Sequence, residues 1–122
     1  MAFEEYSPKV MDHFLNPRNT GEISNPTHSA TVTNPACGDL MKLTLRVASG
    51  VVSEARAKTF GCAAAIACSS VLTELLLGHT VTEALLLTNG SVVEYLGGLP
   101  EVKIRCSLVA EQALQAALGA RP

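Results

Sequence analysis

The sequence predicts an α+β protein in which helices cover a small antiparallel sheet. Segments that alternate like strands lie in the first half of the chain and segments with helical spacing follow them, an order typical of this class. Residues 41–47 alternate apolar and polar side chains, and a short turn at 48–50 leads into a second such segment at 52–60. Two strands joined in this way form an antiparallel hairpin.

One helix and one more strand are predicted before the hairpin. Four apolar residues at helical spacing predict an amphipathic helix over 6–15. Small apolar residues alternate with hydroxyl residues over 29–33, which indicates a strand. In the second strand of the hairpin, Ser53 and Ala55 are expected on one face and Glu54 on the other.

Helices are predicted over most of the second half of the chain. Alanine and leucine dominate residues 63–77, which we expect to form one helix. Residues 80–83 and 91–94 both have the capping-box pattern, so each predicts the start of a short helix, and Asn89-Gly90 is expected to end the first. A last, long helix is expected over 107–118.

The bulk composition limits the classes of function. At 122 residues and 12.8 kDa, residues 1–122 are expected to form one domain with one hydrophobic core. The net charge is -2 and no basic cluster occurs, which argues against binding to nucleic acid. We find no signal peptide and no apolar run that would span a membrane, so we expect a cytoplasmic protein without membrane contact.

Three cysteines lie at predicted element boundaries, where their thiols can face a ligand. Cys37-Gly38-Asp39 places a thiol and a carboxylate two residues apart, and Gly38 permits a tight bend between them. Cys62 opens the helix at 63–77, where the positive end of the helix favours a thiolate, and Cys106 directly precedes the last helix. Thiolates prefer zinc, Cu(I) or iron–sulfur clusters, so we predict a solvent-accessible metal or cluster site.

Other residues of this kind have structural explanations. Cys68 lies six residues after Cys62, displaced by roughly 120° around the helix, and is expected in the core. Lys103 and Arg105 are either solvated charges or groups that stabilise the Cys106 thiolate. Dispersed cysteines also occur as packing residues, so the metal site has that alternative. The histidines are expected at the surface or at helix ends: His13, His28 and His79.

Several motifs in order resemble the iron–sulfur cluster assembly scaffolds of the IscU type, which also form the N-terminal module of NifU-like proteins. The resemblance extends from Tyr6 to Leu118. Its motifs are Val10-Met11-Asp12-His13-Phe14, Asn16-Pro17-Arg18-Asn19, Asn34-Pro35-Ala36-Cys37-Gly38-Asp39, Lys58-Thr59-Phe60-Gly61-Cys62, Leu99-Pro100 and Cys106-Ser107.

The resemblance implies a fold, a ligand set and partners. The fold is a three-stranded sheet packed against helices, and the cluster residues are Cys37, Asp39, Cys62 and Cys106. The implied function is that of a scaffold, not an enzyme. A cysteine desulfurase supplies sulfur, iron is added, and a [2Fe-2S] cluster is built and passed to acceptor proteins. A DnaK-class chaperone with its co-chaperone is a further implied partner, and we predict a homodimer when the cluster is loaded.

Two departures from the family pattern keep alternatives open. Arg105 replaces the histidine that commonly precedes the third cysteine, and an arginine stays protonated and cannot bind a metal. A zinc-bound sulfur-transfer partner that activates a desulfurase, with zinc in the apo form, is therefore a second hypothesis. Glu101 replaces a proline of the segment that the chaperone recognises. A thiol oxidoreductase is the third hypothesis, although the chain has no C-x-x-C pair.

Overall fold

The computed structural model describes residues 6–34 and 38–119, and within them the predicted α+β class is confirmed. Three strands form one antiparallel sheet in the order β1-β2-β3: β1 is His28–Asn34, β2 is Asp39–Ala48 and β3 is Val51–Phe60. Five α-helices lie in these described ranges: α1 Pro8–Leu15, α2 Ala63–Leu76, α3 Val81–Ala84, α4 Asn89–Tyr95 and α5 Leu108–Leu114.

The turn between β2 and β3 forms the predicted hairpin. Ala48 pairs with Val51, which leaves Ser49 and Gly50 as a two-residue loop. Both have positive φ, 54° at Ser49 and 77° at Gly50. Two such residues in succession match the right-handed twist of the flanking strands. The turn thus sets the register that brings the beginning of β2 beside the end of β3.

A bulge in β3 changes which residues face the core. Arg46 pairs with Glu54, whereas the next residue of β2, Val47, pairs with Val52, so Ser53 is the extra residue. An extra residue reverses the alternation of faces, because side chains in a strand have a period of two. Val52 and Ala55 are both buried and Ser53 is exposed. The prediction that Ser53 shares a face with Ala55 is therefore wrong.

Helix α2 is the centre of the packing. It contacts β3 on one side and α1, α4 and α5 on others, and eleven of its fourteen residues are buried. A helix that is apolar on nearly all sides is expected where other elements surround it. The largest fully buried side chains include Met41, Leu43 and Leu45 of β2 and Leu72 and Leu76 of α2.

The helix starts follow capping chemistry, with one correction to the sequence prediction. Thr80 forms the predicted capping box with Glu83 at the start of α3. The box predicted at 91–94 is wrong, because Thr88 caps α4 and Ser91 is the third residue inside it. Asn89-Gly90, predicted to end a helix, begins α4. The threonine three positions before Ser91 is the better cap, since its hydroxyl accepts from Ser91 N–H.

The C-terminal helical segment begins earlier than predicted. A 3-10 helix, Glu101–Ser107, leads directly into α5, and Gln115–Gly119 continues it as a wider π-helical turn. The predicted long C-terminal helix is confirmed, but Cys106 lies inside the 3-10 helix instead of before a helix. Within residues 6–34 and 38–119, no helix has both the length and the apolar character needed to cross a bilayer.

Candidate metal centre

Three potential ligands meet at the N-terminal end of α2. One oxygen of Asp39 and the sulfurs of Cys62 and Cys106 all lie within 4.8 Å of one another. Asp39 is 2% exposed and Cys106 1% exposed, whereas Cys62 is partly exposed. We call this group the cysteine–aspartate centre. Its ligand types agree with the metal site predicted from the sequence.

The sheet and the helix order explain why these distant residues meet. Asp39 is the first residue of β2, and the adjacent Leu40 pairs with Phe60 at the end of β3. The chain then passes through Gly61 to Cys62, which is the N-cap residue of α2. The hairpin therefore returns the chain to the level of Asp39 as α2 begins. The 3-10 helix, which packs against α2, brings Cys106 to the same end.

The Asp39 carboxylate is only half satisfied. Its Oδ1 accepts a hydrogen bond from the Cys62 N–H at 3.2 Å. Its Oδ2 is buried and has no hydrogen-bond partner in the described part of the chain. A buried charged oxygen without a partner is costly, so native structures pair such groups or bind them to metals. A carboxylate that has such an oxygen, and that places one of its two oxygens within 4.8 Å of two sulfurs, suits a cationic ligand.

Gly61 makes this arrangement sterically possible. A Cβ atom at position 61 would lie 2.3 Å from Asp39 Oδ1 and 2.8 Å from Asp39 Cγ. Both distances are shorter than any ordinary contact, so a larger residue would displace the carboxylate or the chain. In the sequence, the only signal is a glycine directly before a cysteine. The structure shows why a glycine is needed there.

The two thiols are close enough to act on one ion or cluster. Cys62 Sγ and Cys106 Sγ lie 3.5 Å apart, well beyond the roughly 2.05 Å of a disulfide bond. Two soft sulfur donors and one hard oxygen donor form a mixed ligand set, which suits zinc or iron better than magnesium or calcium.

Some sequence predictions for the site are confirmed and others are wrong. Gly38 has φ +72°, as a tight bend beside Asp39 requires, whereas Cys37 lies outside the described residues, so its role stays a prediction. The expectation of solvent-accessible thiols is wrong for Cys106, which is 1% exposed in a 3-10 helix that packs against α2. Arg105 is exposed, as expected of a solvated charge.

Cys68 has the structural role that its position predicts. It is fully buried among the apolar residues of the core. Burial raises the pKa of its thiol to about 12, and the nearby Cys62 and Asp39 contribute in the same direction. Cys68 is therefore a neutral packing residue.

The prediction that His13 lies at the surface is wrong, because the residue is buried. It is 5% exposed, and its Nδ1 lies 2.8 Å from Ser70 Oγ of α2. Its Nε2 lies 3.7 Å from a carboxylate oxygen of Glu74. Burial, aided by the charge of Arg18, lowers the pKa of His13 below its usual value. The residue three positions earlier, Val10, is fully buried, so helical spacing could have placed His13 on the inner face.

The fold and the cysteine–aspartate centre together describe a small α+β protein whose potential thiol and carboxylate ligands meet where a hairpin leads into a helix. The family model described as the NifU-like N terminal domain matches residues 5–121. The chain belongs to this family.

Two proteins that are similar to this chain in sequence are iron-sulfur cluster assembly scaffold proteins. The iron-sulfur cluster assembly scaffold protein IscU 1 of Archaeoglobus fulgidus is 50% identical over 113 residues, covering 93% of this chain and 74% of the relative. The IscU scaffold protein of Buchnera aphidicola subsp. Schizaphis graminum is 50% identical over 118 residues, covering 93% and 91%.

The structural comparison supports the fold alone. A protein of Fervidobacterium islandicum AW-1, described as a candidate scaffold for the SUF system, superposes with a TM-score of 0.81 at 20% identity. The match covers 97% of this chain and 99% of that chain. The three-stranded sheet and its helices are thus shared at low sequence identity.

Proposed function

We propose that this chain is a scaffold on which a [2Fe-2S] cluster is assembled and from which it passes to acceptor proteins. The observation that carries the proposal is the meeting of the Asp39 carboxylate with the sulfurs of Cys62 and Cys106, one carboxylate oxygen and both sulfurs lying within 4.8 Å of one another. The buried Oδ2 of the same carboxylate has no hydrogen-bond partner among the described residues. The names of the relatives support the same function, since both are iron-sulfur cluster assembly scaffold proteins.

The proposed ligands are Cys37, Asp39, Cys62 and Cys106. Three thiolates and one carboxylate differ from the four thiolates that usually hold a [2Fe-2S] cluster. A carboxylate is a harder and poorer partner for such a cluster than a thiolate. One weaker ligand favours an exchangeable cluster, which suits a donor. The burial of Asp39 and Cys106 limits the access of water to the cluster while it is held.

The proposed partners follow from the chemistry of the cargo. A cysteine desulfurase supplies sulfur as a persulfide, an electron donor reduces that sulfur to sulfide, and iron(II) is added separately. Acceptor proteins take the finished cluster. The family resemblance adds a DnaK-class chaperone with its co-chaperone as a further proposed partner, against which stands Glu101 in place of a proline in the segment that the chaperone recognises. We further propose that residues 1–122 form one scaffold domain without catalysis of its own, and that it acts in the cytoplasm.

A zinc-bound sulfur-transfer partner is the second candidate, and the ligand geometry favours it to a degree. Two sulfurs and one oxygen within 4.8 Å of one another are donors of the types that bind zinc, and a four-coordinate site would take its last ligand from Cys37 or from a substrate. Such a protein would carry tightly held zinc, would accelerate a desulfurase and would remain colourless. Elemental analysis of the purified protein, followed by desulfurase turnover assays, separates the two candidates.

The ligand count also leads to a proposal about association. When Cys37, Cys62 and Cys106 supply three thiolates, either Asp39 or a group of a second chain completes the set. We propose a monomeric apo form that shifts toward a dimer when the cluster is loaded. Light scattering on anaerobic apo and loaded samples tests this: identical masses would assign the fourth position to Asp39 or to an external thiol.

The main experiment is anaerobic reconstitution with iron(II), cysteine, a reductant and a cysteine desulfurase. The wild-type protein should develop the visible charge-transfer bands of thiolate-bound iron. A triple variant, Cys37→Ser, Cys62→Ser and Cys106→Ser, should remain nearly colourless although it retains Cys68. Full absorbance in the triple variant would overturn the site assignment, and a colourless wild type that carries zinc would favour the second candidate.

A further inference from the structure

The 3-10 helix that carries Cys106 is held by one internal hydrogen bond and by one hydrogen bond from α4. Ser107 Oγ donates to the carbonyl of Ile104 at 2.5 Å. Asn89 Nδ2, at the start of α4, donates to the same Ser107 Oγ at 3.1 Å. The first contact lies within the 3-10 helix, and the second joins the residue after Cys106 to α4. A 3-10 helix has poorer internal hydrogen bonds than an α-helix, so external contacts contribute more to its position.

A second contact reaches the same helix from the sheet. Asn34, the last residue of β1, is 8% exposed, and its Nδ2 donates to the carbonyl of Arg105 at 3.0 Å. This carbonyl belongs to the peptide group directly before Cys106. Arg105 therefore contributes a backbone acceptor here while its side chain is exposed.

Asn34 is also tied to the other parts of the cysteine–aspartate centre. It pairs with Asp39 across β1 and β2, and its carbonyl accepts a hydrogen bond from the Gly38 N–H at 2.7 Å. One residue thus joins the strand end that positions Asp39 to the helix that carries Cys106. The Cys62 N–H, in turn, donates a hydrogen bond to Asp39 Oδ1.

We infer that Asn34 is a positioning residue that holds Cys106 Sγ in reach of Cys62 and Asp39. The inference rests on the proposed function, because the position of Cys106 Sγ matters for function only if the cysteine–aspartate centre binds a metal ion or cluster. The amide can donate to the Arg105 carbonyl without adding a charge beside Asp39. Without this bond the peptide before Cys106 is no longer oriented from the sheet side, and the thiol leaves its place in the ligand set.

Cobalt(II) is a suitable probe, since it occupies thiolate sites and its sulfur-to-metal charge-transfer bands report how many thiolates bind. The apo protein is titrated with cobalt(II) for wild type, Asn34→Ala and Asn34→Leu. The leucine variant keeps the side-chain volume while it removes the donor, so that a loss of packing is not mistaken for a loss of the hydrogen bond. Asn25→Ala, in an exposed loop, is the matched control.

Cys106→Ser supplies the reference spectrum of a centre that lacks this thiolate. We expect both Asn34 variants to bind cobalt(II) on the order of 10-fold more weakly, as is typical when a partner of a metal ligand is removed. Their band intensity per bound ion should fall toward that of Cys106→Ser. Asn25→Ala should match the wild type in both respects.

The outcomes separate this inference from the proposed function. If the wild type shows thiolate–cobalt bands and both Asn34 variants show the same intensity per bound ion, the positioning role is wrong, even if the variants are less stable. If the wild type itself shows no such bands, the proposed ligand set fails first. A lower melting temperature with an unchanged spectrum identifies Asn34 as a purely structural residue and overturns the inference.

Discussion

Two regions of helix α2 each contain a cysteine, and the two have opposite chemistry. Cys62 is the N-cap residue, is partly exposed and lies 3.5 Å from the sulfur of Cys106. Cys68, in the middle of the helix, is fully buried, and the pKa of its thiol is raised to about 12. The residue type and the helix are the same, so position decides whether the thiol lies in the candidate centre or in the core.

The cause of this difference is what surrounds each region. The end of α2 meets the beginning of β2, where the Asp39 carboxylate accepts the Cys62 N–H. The middle of α2 is enclosed by apolar side chains of the core. Polar groups brought to a helix end create a ligand site, whereas enclosure on all sides leaves a thiol neutral.

The largest expected effect is a difference between Cys62 and Cys68 in the rate at which their thiols are alkylated. At pH 7 a thiol with a pKa of about 12 is ionised far less than an ordinary thiol, so Cys68 should react more than about 1000-fold more slowly than an unperturbed cysteine. Cys62, partly exposed, should be modified first. Timed treatment of the apo protein with iodoacetamide and peptide mass analysis measures both rates, and early modification of Cys68 in folded protein would contradict the account.

A core substitution in the middle of α2 should have the next largest effect. Leu72→Ala removes a side chain that is 1% exposed and should lower the free energy of unfolding by about 2–5 kcal/mol. Urea denaturation measures this change. Cobalt(II) binding per folded chain should stay as in the wild type, because Leu72 does not belong to the cysteine–aspartate centre. A changed cobalt spectrum would show that the two regions are not separate.

Gly61→Ala should lower the free energy of unfolding less than Leu72→Ala does, but it should change cobalt(II) binding at the cysteine–aspartate centre more. The added Cβ would lie 2.3 Å from Asp39 Oδ1, and relief of such crowding typically costs about 1–3 kcal/mol. Gly90→Ala is the matched control, since its Cβ would meet only Thr88 Oγ1 at 3.4 Å inside α4. Thermal unfolding and cobalt(II) titration should show losses for Gly61→Ala alone, and equal behaviour of the two would refute the steric role.

Asp39→Ala should have the smallest effect, on the lifetime of the cluster. If the carboxylate is the weak ligand that permits release, its removal should lengthen the lifetime a few-fold without preventing assembly. The decay of visible absorbance after removal of iron and sulfide measures it. Asp12→Ala, at an exposed position of α1, is the control. Faster loss of the cluster from Asp39→Ala than from the wild type would disprove the weak-ligand role.

The sequence was sufficient to predict those elements whose structure is determined by the local pattern of residues. Alternation predicted the hairpin, the alanine and leucine content predicted α2, and position along α2 separated Cys62 from Cys68. The bulge at Ser53 was missed because it depends on pairing with the neighbouring strand. Burial of Cys106 was missed for a related reason, since it depends on packing against α2, whereas the helical spacing from Val10 could have placed His13 on the inner face of α1.

The sequence identified the candidate ligands, but it did not identify the residues that position them. Cys62, Cys106 and Asp39 were identified from their positions, and the structure brings them together. The roles of Gly61 and Asn34 depend on a close approach and on a hydrogen bond to a carbonyl 71 positions away along the chain. Neither relation has a local pattern from which it could be predicted.

The most direct test of the central claim compares two single variants of the same helix. Cys62→Ser and Cys68→Ser are loaded anaerobically under identical conditions, and bound iron and sulfide are measured per chain. Cys68→Ser should retain the wild-type content, because its thiol is a packing residue, while Cys62→Ser should lose most of it. Equal iron and sulfide content in the two variants would contradict the claim that the end of α2 is the cluster site and its middle is core.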